Sequence, residues 1–263
     1  MAAPTLAEVL DLLHEIAPLE LAADWDNVGL LMRSDVERDA IGKCLLTIDL
    51  TEAVIAEAES FGADLVVAYH PPIFKPMAQL DVADATQRRI VRALRAGFSV
   101  YSPHTALDAA PAGLADWLIE GALGDAVPEA VHAVGDGYGR FAELSKPIAW
   151  TALIERLKAQ YGVDHLQVAR PAKPASKLRS IAVAAGAGSG VLRGVPADVY
   201  VTGEMSHHDA LAAVASGTSV ILAGHSNTER GFLRVLAKRL TGEFRKELQV
   251  RVAKGDRDPL TVV

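Results

Sequence analysis

Two stretches of the chain carry the same order of side chains. FSVYSPHTALD (98–108) and TSVILAGHSNTE (218–229) each run through a short apolar segment into a histidine, with a carboxylate four residues on. The pairs are His104 with Asp108 and His225 with Glu229. Imidazole nitrogen and carboxylate oxygen together bind divalent transition metals. A strand that empties onto a His-x-x-x-acid loop, used twice, reads as the frame of a metal site.

Further polar groups gather in the same kind of place. Ligands of open α/β sheets collect beyond the carboxyl ends of the strands. Five of the eight histidines fall just past such an end: His70, His104, His207, His208 and His225. Asp49, Asp108, Glu204 and Glu229 share that edge. In YHPPIF (69–74), Pro71-Pro72 turns the chain out of its strand and sets the direction of His70. Each group has a plainer role as well. His70 can bond a backbone carbonyl at a rigid turn, and Asp108 can cap a helix or anchor an Asx turn. Glu229 suits a first helical turn whatever it binds. His207 and His208 are adjacent on a helix and point about 100° apart, so one ion cannot take both. WDNVGLLM (25–32) reads as an Asp-Asn turn followed by a buried strand. It is the repetition of the His-x-x-x-acid loop that favours metal.

The elements that must position these groups alternate. Apolar runs at 43–50, 63–70, 98–104, 179–186, 197–204 and 219–225 read as strands. Helix-period segments lie at 51–62, 84–97, 113–123, 150–162, 205–217 and 228–242. Strands apolar throughout, set between helices, predict mostly parallel sheet covered on both faces. The pattern occurs twice. ADLVVAYHPP is similar to ADVYVTGEMSHH, offset by 134 residues (Ala63 to Ala197), and the two histidine loops are offset by 121 (His104 to His225). The Gly- and Ala-rich stretch 124–147 reads as the junction, which predicts domains at 1–124 and 125–263 with the last helix able to pack on the first.

The chain has 263 residues, half of them apolar, with net charge −7 and a pI near 5.6. No basic run supports a nucleic-acid surface. Six Phe, five Tyr and three Trp give a single-strand-binding phosphoesterase little to stack on. The lone Cys44 sits in an apolar stretch and reads as a small buried hydrophobe in a reducing compartment. MAAPTLAEVLDLLHEI is an amphipathic helix rather than a signal peptide, and no apolar run spans a membrane. These features predict a cytoplasmic protein.

Five ordered strings carry a resemblance: WDNVGLL, YHPPIF, YSPHTALDAAPAGLADWL, VTGEMSHHDAL and AGHSNTERGFL, spread over residues 25–233. They resemble the signature blocks of the NIF3-like family, also described as dinuclear-metal-centre hexameric proteins. The resemblance implies two similar three-layer α/β/α domains with a metal cleft between them, in a homohexamer without an inserted domain. It implies His70, Asp108, His225 and Glu229 as metal ligands, Glu229 bridging, with His104 as a weak ligand or proton carrier. His207 and His208 are further proton-carrier candidates. Many bacterial members have a second histidine where this chain has Tyr69, and a neutral phenol is a poor ligand. Two ions per chain are expected, of Zn, Fe, Mn, Co or Ni, with the count sensitive to Tyr69. The resemblance implies a metal-dependent hydrolase of a nucleotide-like small molecule, of the kind labelled GTP cyclohydrolase 1 type 2. No GxxxxGK[ST] loop is present. The alternative is a non-catalytic metal-binding hexamer that recruits partner proteins.

Overall fold

The computed structural model describes residues 2–33 and 39–262. In chain order the elements are α1 (Leu6–Ile16), β1 (Gly29–Met32), β2 (Lys43–Thr47), α2 (Glu52–Phe61), β3 (Leu65–Ala68), α3 (Ala85–Ala96), β4 (Ser99–Ser102), α4 (His104–Ala109) and α5 (Leu114–Leu123). There follow β5 (Pro128–Val134), β6 (Gly139–Ala149), α6 (Trp150–Tyr161), β7 (Gln167–Ala169), β8 (Lys177–Ala184), α7 (Ser189–Leu192), β9 (Val199–Thr202), α8 (His207–Ala215), β10 (Ser219–Leu222), α9 (Asn227–Arg230), α10 (Leu233–Phe244) and β11 (Gln249–Val252). Local chemistry sets several ends. Thr5 and Glu8 form a reciprocal capping box on α1. Thr51 caps α2, which closes on Gly62 at φ +68°, a left-handed residue that costs a glycine nothing.

The chain divides into two compact units, Met1–Leu107 with Phe232–Arg257, and Asp108–Gly231 with Asp258–Val263. In the first, five strands run in the order β1-β4-β3-β2-β11. β4, β3, β2 and β11 are parallel neighbours and β1 is antiparallel to β4. One face of this sheet (Leu45, Val66, Val100) packs on Val54, Ile55 and Ala58 of α2 and Ile90 and Ala93 of α3. α10 packs against β11 and β2. β3 and β4 are buried along their whole lengths, as parallel strands covered on both sides must be.

In the second unit six strands run β5-β6-β8-β9-β10-β7. β8, β9 and β10 are parallel, while β5, β6 and β7 join antiparallel. Ile181, Val183, Val199, Val201 and Ile221 pack on α5 and α6. Phe141, Ala182, Ala184, Tyr200 and Val220 form the opposite core with Leu192 of α7 and Ala213 of α8. Each fully buried aliphatic side chain of this kind contributes about 2 kcal/mol. The two sheets repeat one plan: three parallel strands in chain order (β2-β3-β4, β8-β9-β10), flanked beyond the third by an antiparallel strand (β1, β7). The two-unit α/β expectation therefore holds, as two similar layered units.

Three details differ from the sequence reading. The stretch 124–147, read as a junction, is largely the β5–β6 hairpin, with its turn at 135–138. The chain crosses between units at 107/108, ahead of the expected 124/125, and α5 packs on β6, β8 and α6 of the second unit. The segment 228–242 is two helices, α9 and α10, where one was expected; that the second belongs to the first unit agrees with the sequence reading.

Candidate functional site

In the first unit the strand ends build a ring of aromatic and acidic groups. Beyond β3 the parallel ladder continues for two residues, with Tyr69 N–H donating to Thr47 O (2.9 Å) and His70 N–H to Ile48 O (3.0 Å). That registers His70 beside Asp49, which follows β2. His70 Nδ1 lies 3.0 Å from Asp49 Oδ1. Pro71 ends the ladder because it has no N–H to donate. Tyr69 is 3% exposed, and its ring centroid is 5.0 Å from that of His70 and 5.4 Å from that of His104.

His104 opens α4 directly after β4 and Pro103, with φ +29°. A non-glycine residue in that region is strained, and such strain persists where surrounding bonds hold it. Asp26 does the holding. Its Oδ1 is 2.7 Å from His104 Nδ1, and its Oδ2 accepts from Thr105 N (3.1 Å) and Thr105 Oγ1 (2.5 Å). The Asp26 side chain is fully buried. Burial opposes its charge, but the bonds from His104 and Thr105 outweigh burial and keep its pKa below the ordinary value. Asp26 is thus a carboxylate that holds the His104 proton on Nδ1 and makes Nε2 the lone-pair nitrogen. Asp108 lies one helical turn beyond His104 on α4 and is buried.

In the second unit Glu204 follows β9 and His225 follows β10. Glu204 N–H donates to Gly186 O (2.9 Å) and Gly224 N–H to Gly203 O (2.9 Å), fixing both strand ends. His225 Nδ1 is 2.9 Å from Glu204 Oε1, and His225 Nε2 is 3.3 Å from Glu229 Oε1. Glu229 lies in α9 and is 2% exposed. Gly186 sits at φ +53°, and a Cβ added there would come within 2.8 Å of Glu229 Oε1 and 2.9 Å of His225 Nε2. Both donor atoms thus face the space over one glycine. Thr228 Oγ1 fixes that glycine by accepting from its N–H (2.9 Å), and Thr202 Oγ1 by donating to its carbonyl (3.0 Å).

The donor chemistry fits a divalent ion. A nitrogen and an oxygen each about 2.1 Å from one ion lie roughly 3 Å apart, close to the His225–Glu229 separation. Three histidines, His70, His104 and His225, each set Nδ1 on a carboxylate. This is how proteins orient metal-binding and proton-carrying imidazoles. The structure gathers His70, Tyr69 and His104 in one unit, and His225 with Glu229 in the other. His207 and His208 are exposed in the first turn of α8, with ring centroids 5.5 Å apart. Sequence reasoning did not assign Asp26, Asp49 and Glu204 a role as imidazole partners. Asp49 and Glu204 stood at the right sheet edge, and Asp26 stood in WDNVGLL, but nothing local pairs them with particular rings.

Fold and side-chain chemistry together define a two-unit α/β protein whose strand-end histidines are backed by carboxylates. Residues 4–259 match the model of the Duf34/NIF3 (NGG1p interacting factor 3) family, and the chain belongs to that family. It is 43% identical over 258 residues to "Protein NIF3 homolog" of Schizosaccharomyces pombe, covering 93% of each chain. It is 41% identical over 260 residues to "NGG1-interacting factor 3" of Saccharomyces cerevisiae, covering 90% of each. A Bacillus cereus protein related to NIF3 has the same fold, at TM-score 0.85 and 19% identity over the whole of both chains. Among the described residues no helix is long and apolar enough to cross a membrane.

Proposed function

We propose that this chain binds a pair of divalent metal ions through His70, Asp108, His225 and Glu229, and hydrolyses a nucleotide-like small molecule. The observation that carries this reading is the three-fold use of a carboxylate on histidine Nδ1: Asp49 at His70, Asp26 at His104 and Glu204 at His225. The converging His225 and Glu229 donor atoms over Gly186 support it. Divalent ions held there would supply positive charge that polarises a substrate oxygen and lowers the pKa of water. Tyr69 lies beside the two first-unit histidines and sets how fully the second ion is held.

The chain's own residues then have distinct tasks. Glu204 and Asp49 hold their imidazoles in one tautomer and orientation. Asp26 holds the His104 ring by its Nδ1 and leaves the lone pair on Nε2, so that nitrogen takes a proton from the attacking water and returns it to the leaving group. Gly186 leaves room for the reacting groups. Purine-ring opening of the GTP cyclohydrolase 1 type 2 kind is one reaction within this class. A homohexamer is part of the same proposal, and light scattering on a sizing column measures it.

A second reading has one observation of its own: a relative 41% identical is named for interaction with NGG1. On that reading the metal-binding protein is a non-catalytic assembly that recruits partner proteins. Purified protein loaded with Zn, Mn, Fe, Co or Ni is screened against nucleotides and generic phosphoesters, then again as His225→Ala. The hydrolase reading predicts turnover lost in the variant. Turnover that survives the substitution contradicts the site. No turnover on any substrate, with a stable protein partner, supports the assembly.

A further inference from the structure

Two large aromatic rings of the first unit are left in water beside His104. Trp25 is 64% exposed and Phe74 43%. Their centroids are 6.0 Å apart, with planes at 53°. Each ring also meets the His104 imidazole edge-on, at 6.1 Å for Trp25 and 6.4 Å for Phe74. The backbone that carries them is fixed. Asn27 Nδ2 donates to Ile73 O at 2.5 Å and ties the two loops together, and Asp26 anchors the Trp25 loop to α4. Pro71-Pro72 stiffens the approach to Phe74.

Phe74 also borders a cavity of about 250 Å³ whose walls include His70, Thr86 and Arg89. On α3, Arg88 and Arg92 are paired with Glu52 and Glu59. Arg89 Nη2 instead donates to Thr86 Oγ1 at 3.3 Å and borders the cavity. Exposed, pre-placed aromatic faces take flat π-systems with little ordering cost, and a guanidinium takes phosphate through charge-assisted bonds. The cavity is sized for a phosphate and part of a sugar, which leaves a base outside it, against the aromatic pair.

We propose that Trp25 and Phe74 form a stacking platform for the base of a nucleotide, and that Arg89 takes its phosphate. The proposal rests on the reading of His70 and His104 as members of a reaction site, and it names what that site holds.

Calorimetric titration of the full-length protein with GMP, guanosine and ribose 5-phosphate tests it. Trp25→Ala should raise Kd for GMP and guanosine about tenfold and leave ribose 5-phosphate unchanged. Trp25→Phe should recover most of the loss. Arg89→Ala should weaken GMP and ribose 5-phosphate and spare guanosine. Equal GMP affinity in wild type and Trp25→Ala overturns the platform, as does no GMP binding by the wild type at millimolar concentration. A change of oligomeric mass in Trp25→Ala overturns it too, because a second copy then covers the rings. Metal content, measured in parallel, separates the two claims. Wild-type metal content with GMP binding indifferent to Trp25 sinks the platform alone. A metal-free wild type that still loses GMP affinity in Trp25→Ala sinks the hydrolase and keeps the platform.

Discussion

His104 and Asp26 stand 78 residues apart in the chain, and His104 Nδ1 lies 2.7 Å from Asp26 Oδ1. The contact spans a turn before β1 and the start of α4, and the same carboxylate closes the first turn of that helix through Thr105. Asp26→Asn should therefore let the imidazole turn over or take the other tautomer. The expected result is a 10–100-fold fall in turnover. The pH–rate profile should change shape as well, which a purely structural role would not cause.

Asp26 also gives a pH dependence of stability. Its folded pKa is depressed below 3.8 by the His104 and Thr105 bonds, acting against burial. Stability from this group is present above the unfolded value and is lost as pH falls through the folded one. Urea unfolding from pH 7 down to pH 3 should show wild type losing stability below about pH 4, with a shallower loss in Asp26→Asn. Identical slopes in the two proteins would contradict the assignment.

Gly186→Ala places a methyl group between the two donor atoms, 2.8 Å from Glu229 Oε1 and 2.9 Å from His225 Nε2. It also strains a backbone at φ +53°, which costs about 1 kcal/mol. The variant should fold, melt a few degrees lower and lose most of its metal by elemental analysis. Full metal content in a folded Gly186→Ala protein would place the ions elsewhere.

Glu204 is 57% exposed, so its loss should cost little stability. Its role is to hold His225 Nδ1. Glu204→Ala should weaken metal affinity about 10–100-fold in a chelator competition, with a melting temperature near that of wild type. An unchanged affinity would make the contact an ordinary surface pair.

Cys44 is fully buried in β2, and burial with the nearby Asp64 charge pushes its pKa up to about 12. The thiol stays protonated through pH 8, and the thiolate is the reactive form. A disulfide reagent at pH 8 should find no thiol in native protein and one per chain in guanidinium. Fast labelling of the native protein would refute this.

Much of the frame was legible because parallel strands buried on both faces are mostly apolar: β3 is LVVA, and β9 (VYVT) and β10 (SVIL) each carry a single Thr or Ser at one end. Their His and acid endings were legible for the same reason: polarity switches on where the strand leaves the core. The β5–β6 hairpin was not legible. Its strands are half exposed, and its small residues, with Gly135 and Gly137 in the turn, look like a linker. α10 docks on β11, which follows it directly, and on β2, which lies roughly two hundred residues earlier, a contact that no local pattern encodes. The carboxylate partners were hidden for the same reason. Glu204 and Asp49 each act on a histidine 21 residues away, and their pairing comes from strand register.

Elemental analysis of protein purified without chelator bears on everything proposed for the site. The account predicts about two divalent ions per chain, as a dinuclear centre requires, and a loss of most of that metal in His225→Ala. One ion per chain would mean that Tyr69 leaves the second position too weak to retain its ion. Metal at background in the folded wild-type protein, or a content unchanged in His225→Ala, would contradict it.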